Sequence, residues 1–190
     1  MFARTPRLLL RPGWKEDASA LAAAIGDFGV VGRLARAPWP YRAEDARAFL
    51  SADHGALPNF LIFARTHGAP RLVGGIGLDQ TDAGVELGYW IARAYWGLGF
   101  ATEAGRAVVD LADFGLRLPR LIAGHFADDT ASARVLGKLG FEPTGEAGSR
   151  ICRSRNSVEP SVEYARPAFA SGREGSISDV GYDREGALAA

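Results

Sequence analysis

The pattern of apolar and polar positions in the first half of the chain predicts strands and helices in alternation. Short apolar runs bounded by turn residues are typical of strands, whereas apolar residues three and four apart are typical of amphipathic helices. A hairpin is predicted where a short loop with Gly and Pro separates two strands. The predicted strands are residues 7–11, 60–64 and 72–78, the predicted helices are residues 15 to about 27 and 44 to about 52, and the hairpin loop is residues 66–70.

The second half of the chain begins with a strand that leads directly into a helix. Val85, Leu87, Tyr89 and Ile91 alternate with other residues, as in a half-buried strand. The helix over residues 102–116 is predicted to turn Ala104, Ala107, Val108, Leu111 and Phe114 towards the sheet. Beyond it the pattern predicts a strand at 120–126, a helix at 130–139 ended by a left-handed Gly140, a strand from Phe141 and a last strand at 162–166.

These elements predict a single domain of the α/β (α+β) class. The strand from Val85, the helix after it and the strand at residues 120–126 form one βαβ unit, whose two strands should be parallel neighbours. We expect the domain to span residues 1–170. Residues 171–190 are rich in Gly, Ser, Asp and Ala without apolar periodicity, so they are expected to form a flexible tail.

The turn between the strand from Val85 and the next helix carries the clearest chemical signal. It contains Gly97 and Gly99, and glycines let a backbone approach a ligand closely. The free N–H groups of the following helical turn favour an anion, which predicts a diphosphate site. Two common phosphate motifs are excluded: the Gly-Lys-Ser/Thr of a nucleotide-binding loop is absent, and Thr102 stands where a dinucleotide fingerprint needs a third glycine.

Four blocks of this sequence together resemble the GNAT superfamily of N-acetyltransferases. Residues 86–90 and 95–104 resemble its acetyl-CoA segment, residues 7–12 its first strand, residues 72–78 its third strand, and residues 128–141 its second cofactor motif. The branch that looks most similar is that of the ribosomal-protein N-terminal (alanine/serine) acetyltransferases. A lone Gly-x-Gly is a weak signal, whereas four such blocks in this order are a strong one.

The resemblance implies a GNAT-like fold and an acetyl-CoA site. The fold would be a central mixed, mostly antiparallel sheet of about seven strands flanked by helices, with a splayed parallel pair at the cofactor. Backbone N–H groups near Tyr89, Trp90 and Ile91 would bind the oxyanion of the reaction. The residues expected to bind the cofactor are Tyr89, Trp90, Ile91, Trp96, Gly97, Leu98, Gly99, Phe100, Ala101, Thr102, Asp129, Ser132 and Lys138.

Two residues are candidates for acid–base catalysis. Glu86 is a carboxylate in an otherwise apolar strand, and it would take the amine proton through water or, alternatively, lie on a solvent face. By the resemblance, Ser132 would face the thioester sulfur, although a serine in a first helical turn also serves as an ordinary cap. Tyr164 is an alternative acid, and Arg134 is a further cation for a cofactor phosphate.

One position departs from the pattern of the family. Its second cofactor motif has asparagine and proline where this chain has Asp129 and Thr130. An asparagine donates a hydrogen bond to a pantetheine carbonyl, whereas an ionised aspartate only accepts. Asp129 is therefore expected to act mainly as the N-cap of its helix.

Composition narrows the partners and the location. Lys plus Arg and Asp plus Glu both number 22, so the net charge gives no case for nucleic acid or an anionic membrane. Cys152 is the single cysteine and no apolar run is long enough to span a membrane, which favours the cytoplasm. His125, Asp128 and Asp129 are interpreted as a strand end and a helix cap, so no metal is expected. Oligomeric state stays open between monomer and homodimer.

The sequence therefore predicts an acetyl-CoA-dependent N-acetyltransferase that acts on a primary amine by direct attack on the thioester. The amine is either a protein N-terminus or a small molecule such as an antibiotic or a polyamine. The alternative from another class is a non-catalytic acyl-CoA-binding module, which Asp129 in place of asparagine slightly favours.

Overall fold

The computed structural model describes residues 1–65 and 68–167. Within these residues, eight strands form one sheet in the order β1-β2-β3-β4-β5-β6-β8-β7. The β5–β6 pair is parallel and the other neighbouring pairs are antiparallel. The strands are β1 (Ala3–Arg4), β2 (Leu8–Arg11), β3 (Asn59–Ala64), β4 (Arg71–Thr81), β5 (Gly84–Ile91), β6 (Arg120–Phe126), β7 (Glu142–Cys152) and β8 (Ser157–Pro167).

Helices cover both faces of this sheet. The largest cluster of buried apolar residues joins β2 to β6 with α4 and α5, including Val108 and Leu136. A second cluster packs Leu21 and Ala46, from α1 and α3, on the opposite face. The α-helices of the described residues are α1 (Ala18–Ile25), α2 (Phe28–Val31), α3 (Ala43–Ser51), α4 (Phe100–Asp110) and α5 (Thr130–Lys138).

The predicted mixed, mostly antiparallel sheet with one parallel pair is confirmed. The expected count of about seven strands is one fewer than the eight found in the described residues. The two-residue β1 is too short to show an alternation of apolar and polar positions. The predicted βαβ unit is β5, α4 and β6. Its two strands share one register pair, Glu86 with Ile122, so they part beyond that point.

Two helical predictions differ from the structure. The helix expected over residues 15 to about 27 ends at Ile25, and Asp27 then caps the separate short helix α2 by accepting a hydrogen bond from the Gly29 N–H. In the helix after the glycine turn, Phe114 does not face the sheet, because its side chain is 66 % exposed.

A change of helical period explains the error at Phe114. Residues Leu111–Gly115 form a π-helical turn, which shifts the direction of the side chains that follow. Asp113 takes the inward position instead, where both of its carboxylate oxygens accept hydrogen bonds from Arg166. Left-handed Gly140 after α5, in contrast, is confirmed by its φ of 80°.

The last two strands are longer than predicted, and the turn between them packs on the segment after α2. The N–H of Arg153 donates to the Ala35 carbonyl at 2.9 Å, and the Ser154 hydroxyl donates to the Val31 carbonyl at 3.2 Å. Cys152, a buried free cysteine, lies beside the same segment. The β7–β8 hairpin and the segment after α2 therefore form one continuous wall.

Two predicted features fall wholly or partly outside the described residues. They are the tail at 171–190 and part of the hairpin loop at 66–70. In the part of the chain that is described, no helix has the length and apolar character needed to cross a membrane.

The packing between β4 and β5 predicts the effect of adding one methyl group. A Cβ on Gly74 would lie 2.3 Å from the Trp90 carbonyl oxygen, and a backbone atom of a central strand cannot move away. We expect Gly74→Ala to lower the free energy of unfolding by roughly 2–4 kcal/mol. This loss equals or slightly exceeds the usual cost of adding a methylene group to a well-packed core. Chemical denaturation measures the change.

Gly137→Ala is the matched control. Gly137 lies in α5, and a Cβ there meets nothing within 4 Å. Alanine in a helix should therefore stabilise the protein by about 0.5–1 kcal/mol. Equal effects of the two substitutions would contradict the packing argument.

Candidate active site

The glycine turn before α4 has the geometry of an anion cradle. Gly97 and Gly99 have φ values of 79° and 78°, a left-handed conformation that favours glycine. Gly99 is the N-cap of α4 and provides no capping side chain. The first N–H groups of α4 therefore lack intrahelical partners and, with the helix dipole, favour a negatively charged ligand.

A loop from the N-terminus fixes the start of α4. Glu103 accepts hydrogen bonds from the Thr5 hydroxyl and from the backbone and side chain of Arg7, with the Arg7 Nε 2.6 Å away. Burial acts to raise the pKa of Glu103, but these hydrogen bonds hold it below the ordinary value. Arg7 also donates to the Leu98 carbonyl at 2.9 Å. This network places a half-exposed cation beside the cradle.

The parting of β5 and β6 leaves backbone groups of β5 directed into a gap. The Ala92 N–H donates to Val73 of β4, and alternate residues of a strand direct their backbone groups to opposite sides. Tyr89 and Ile91 therefore direct their N–H groups towards β6, whereas Trp90 directs its own towards β4. Trp96 closes the end of the gap by donating from its indole nitrogen to the Ile91 carbonyl at 2.6 Å.

The N-terminus of α5 forms the other wall of the gap. Asp129 is buried and caps the helix, as the sequence predicted, by accepting from the Ser132 N–H at 3.3 Å. Its second oxygen accepts from the Ser132 hydroxyl at 2.8 Å. Arg33 donates to Asp129 at 2.5 Å and also lies over the ring of Trp96, with 4.8 Å between its Cζ and the ring centroid.

Tyr89 places a second hydroxyl group, besides that of Ser132, beside the N-terminus of α5. Burial raises the pKa of Tyr89 to about 12, and the nearby charge of Asp129 adds to that effect, so the phenol stays protonated at neutral pH. Its hydroxyl donates a long hydrogen bond, 3.4 Å, to the Ser132 carbonyl oxygen. Tyr164 lies deeper: it is buried beside His125, with 5.3 Å between the ring centroids, and does not line the cavity described below.

The face of the sheet towards α1 and α3 carries a charged cluster. Arg150 of β7 donates to Glu86 of β5 and to both carboxylate oxygens of Glu163 on β8. Its guanidinium crosses β6 at Gly124, where a Cβ would lie 2.3 Å from the Arg150 Nη2. Of the two placements left open by the sequence, Glu86 has the one that faces the cavity, but it is paired with Arg150 rather than isolated.

The carboxylates in and beside this cluster, Glu163, Glu86 and Asp79, have different sets of hydrogen-bond partners. The hydrogen bonds from Arg150 lower the pKa of Glu163, and the Ser161 hydroxyl, 2.8 Å away, adds to this. Glu86 and Asp79 stand opposite each other on β5 and β4, and Asp79 has its own partner in Arg36 at 2.6 Å. Each carboxylate of the cluster therefore has a guanidinium as its counter-charge.

One cavity of about 890 Å³ joins the cradle to this charged cluster through the gap. Leu98 is the one residue of the expected cofactor set that does not line it, and its side chain is half exposed. Among the described residues, no group of three His, Cys, Asp or Glu is arranged to hold a metal ion. The expected residues that do line the cavity are Glu86, Tyr89, Trp90, Ile91, Trp96, Gly97, Gly99, Phe100, Ala101, Thr102, Asp129, Ser132 and Lys138, together with Arg134.

Apart from Arg134, sequence reasoning missed the arginines of the site. Arg33 and Arg150 reach their partners across 96 and 64 positions of the chain. Arg93 lies over the ring of Trp96 with 4.3 Å between its Cζ and the centroid, and Arg7 flanks the cradle. The one available signal was that a carboxylate in a largely apolar segment, such as Asp129 or Glu86, needs a counter-charge, and this does not say which arginine provides it.

Comparison with known proteins agrees with this geometry. Residues 7–142 match the model of the acetyltransferase (GNAT) domain. An uncharacterized N-acetyltransferase, p20, of Bacillus licheniformis is 29 % identical over 148 residues, which are 74 % of this chain and 82 % of that protein. A GNAT-family acetyltransferase of Bacillus anthracis is 27 % identical with a TM-score of 0.75, covering 88 % of this chain and 98 % of the other.

A more distant neighbour has a ligand in its crystals. A ribosomal alpha-N-protein acetyltransferase in complex with coenzyme A has a TM-score of 0.74 at 17 % identity, covering 88 % of this chain and 98 % of its own. At that identity the likeness concerns the fold. The match to the family model covers more than half of the chain, so this protein belongs to the GNAT acetyltransferase family.

The charged cluster predicts a pH-dependent contribution to stability. Because the folded pKa of Glu163 is lowered, its contribution is present above the unfolded pKa of about 4.3 and is lost as the pH falls through the folded pKa. We expect Glu163→Gln to lower the free energy of unfolding by roughly 1–2 kcal/mol at pH 7 and by much less near pH 3. Urea denaturation at both pH values measures this.

The exposed Glu142 on the neighbouring strand gives the control for this measurement. Glu142→Gln should leave stability nearly unchanged at pH 7, since surface substitutions away from such networks usually have effects within about 0.5 kcal/mol. A loss in Glu163→Gln that is the same at both pH values would mean that the Arg150 ion pair does not stabilise the fold.

Proposed function

We propose that this GNAT acetyltransferase transfers an acetyl group from acetyl-CoA to a primary amine by direct attack of the amine on the thioester. The observation that carries the proposal is the single cavity that reaches from the anion cradle through the β5–β6 gap to the Glu86–Arg150 cluster. Such a passage admits the two substrates from opposite faces of the sheet. Their reacting atoms then meet at the gap.

The cradle suits the diphosphate of acetyl-CoA. Gly97, Gly99 and the first N–H groups of α4 bind the phosphates, and Arg7 and Arg93 add positive charge beside them. Lys138 and Arg134, which both line the cavity from α5, meet the remaining phosphate of the cofactor. These cations give the site a local positive charge although the chain as a whole has formal net charge zero.

The gap suits the acyl group. When the amine attacks, the thioester oxygen becomes an oxyanion, and the N–H groups of Tyr89 and Ile91 are the donors directed into the gap. A fixed donor at a developing oxyanion is typically one of the larger contributions to catalysis, worth about 3 kcal/mol. Trp90 contributes a wall on the acceptor side, where its ring packs with α1 and α2 residues.

The departing thiolate needs a hydrogen-bond donor. Ser132 and Tyr89 carry hydroxyl groups beside the N-terminus of α5, where it borders the gap. In the structure the Ser132 proton is donated to Asp129, so Ser132 must rotate to serve the sulfur. The Tyr89 phenol is less committed, but its raised pKa makes it a donor of a hydrogen bond rather than of a full proton.

Glu86 is the group that accepts the amine proton, directly or through water. Arg150 occupies one of its oxygens and leaves the other to the cavity. An α-amino group with a pKa of about 8 loses its proton more readily than a lysine at about 10.4, so a protein N-terminus needs less help from this base. A small-molecule amine remains the other acceptor class, and a cytoplasmic location is part of the proposal.

Ligand-dependent stability tests the cofactor assignment. Acetyl-CoA binds the folded chain alone, so a hundredfold excess over its dissociation constant should stabilise the protein by about 2.7 kcal/mol. At about 2–4 °C per kcal/mol, the melting midpoint should rise by roughly 5–10 °C. Differential scanning fluorimetry measures the shift.

ATP and NAD are the controls for that experiment. The cradle lacks the lysine of nucleotide-binding loops and the third glycine of the dinucleotide fingerprint, so both should shift the midpoint little. Release of free thiol from acetyl-CoA in the presence of amines then separates an enzyme from a binding module. A larger shift with NAD than with acetyl-CoA would overturn the cofactor assignment.

Steady-state kinetics test the role of Ser132. If its hydroxyl assists the leaving sulfur, Ser132→Ala should lower kcat about 10-fold or more while raising the KM for acetyl-CoA less. Ser157→Ala is the matched control, because that hydroxyl also donates to a carboxylate, Glu159, but does not line the cavity. A change in KM alone would assign Ser132 to binding, and unaltered kinetics would leave it a capping residue.

A further inference from the structure

We propose that Arg33 is a cofactor-binding residue that acts as a unit with Asp129. The Arg33 guanidinium donates to a carbonyl of the pantetheine arm of acetyl-CoA, a contact that Asp129, which only accepts hydrogen bonds, cannot make. This inference rests on the proposed function. It adds a residue from the segment after α2 to a site formed by α4 and α5.

The position of Arg33 is the first argument. It follows α2 in sequence, yet its side chain reaches the N-cap of α5 and at the same time lies over Trp96, which begins the cradle turn. Trp96 and Asp129 stand on opposite walls of the gap. Arg33 therefore bridges the passage through which the cofactor arm must run, and it lines the same cavity.

The state of Asp129 is the second argument. Its side chain is only 7 % exposed, and its two oxygens already accept hydrogen bonds from Arg33, the Ser132 N–H and the Ser132 hydroxyl. A carboxylate has no proton to donate, so Asp129 cannot bind a carbonyl. A buried negative charge beside a polyanionic ligand is also unfavourable unless a cation neutralises it.

The donor capacity of Arg33 is the third argument. A guanidinium carries five N–H donors in a rigid fork. Within residues 1–65 and 68–167, Asp129 is the only hydrogen-bond acceptor of the Arg33 guanidinium, and the Arg33 side chain is 35 % exposed at the cavity. The remaining N–H groups are therefore available to a carbonyl in the gap, and the contact with the Trp96 ring keeps the guanidinium beside the cradle turn.

A double-mutant cycle with titration calorimetry tests the proposal, using acetyl-CoA as the titrant. Arg33→Met keeps most of the side-chain volume but removes the donors and leaves Asp129 without its counter-charge. We expect the Kd to rise about 10- to 100-fold, as for a lost hydrogen bond to a charged group. Asp129→Asn alone should change the Kd less than about threefold, because Arg33 still donates and the amide still caps α5.

The double variant tests whether an asparagine at position 129 can replace the Arg33–Asp129 pair. Arg33→Met with Asp129→Asn should return the Kd to within about threefold of the unaltered protein, because the asparagine amide donates where the guanidinium did and no unpaired charge is left. Melting temperatures of all variants separate loss of fold from loss of binding. If the Kd stays high in the folded double variant, Arg33 and Asp129 are not interchangeable with an asparagine and the proposal is wrong.

Arg155 provides a closely matched control. It pairs with Asp128 at 3.0 Å and lies over the Phe126 ring, 5.2 Å from its centroid, but it does not line the cavity. Arg155→Met should lower the melting temperature without changing the Kd. The same result for Arg33→Met would make Arg33 a structural residue and overturn the inference. Failure of the unaltered protein to bind acetyl-CoA would instead overturn the proposed function.

Discussion

The parting of two parallel strands is the constraint on which the rest of this structure depends. β5 and β6 share one register pair and then separate, so the backbone groups of β5 beyond Glu86 lose the partner that a continuous sheet would provide. Buried backbone donors without partners are costly. On its other side the whole of β5 pairs with β4, so the open edge is confined to the side that faces β6.

Interactions of two arginines fix the relative positions of the elements that line this gap. Arg150 ties β5, β7 and β8 together, and Arg33 joins the N-cap of α5 to the cradle turn. Both arginines and their carboxylates are partly or largely buried, where desolvation offsets much of the attraction. Their value to the protein is therefore better explained by the positions they fix than by the stability they add.

The sequence was informative where the chemistry is local and uninformative where it is long-range. Helix and strand periods, the glycine turn and Gly140 are local signals, and they predicted the elements that form the gap correctly. Phe114 was misplaced because a π-helical turn changes the period within one helix. Arg33 and Arg150 were missed because their partners lie 96 and 64 positions away in the chain. Pairing over such distances cannot be inferred from one sequence.

The departure from the family pattern at Asp129 shows how such long-range pairing alters the meaning of a local motif. Taken alone, an aspartate in place of asparagine removes a hydrogen-bond donor from this wall of the gap, which is why the sequence slightly favoured a protein that binds without catalysing. With Arg33 beside it, the same aspartate is a neutralised N-cap, and the donor lies one side chain further along the same network. A motif residue that changes its charge should therefore be judged together with its nearest counter-charge, which only the folded chain reveals.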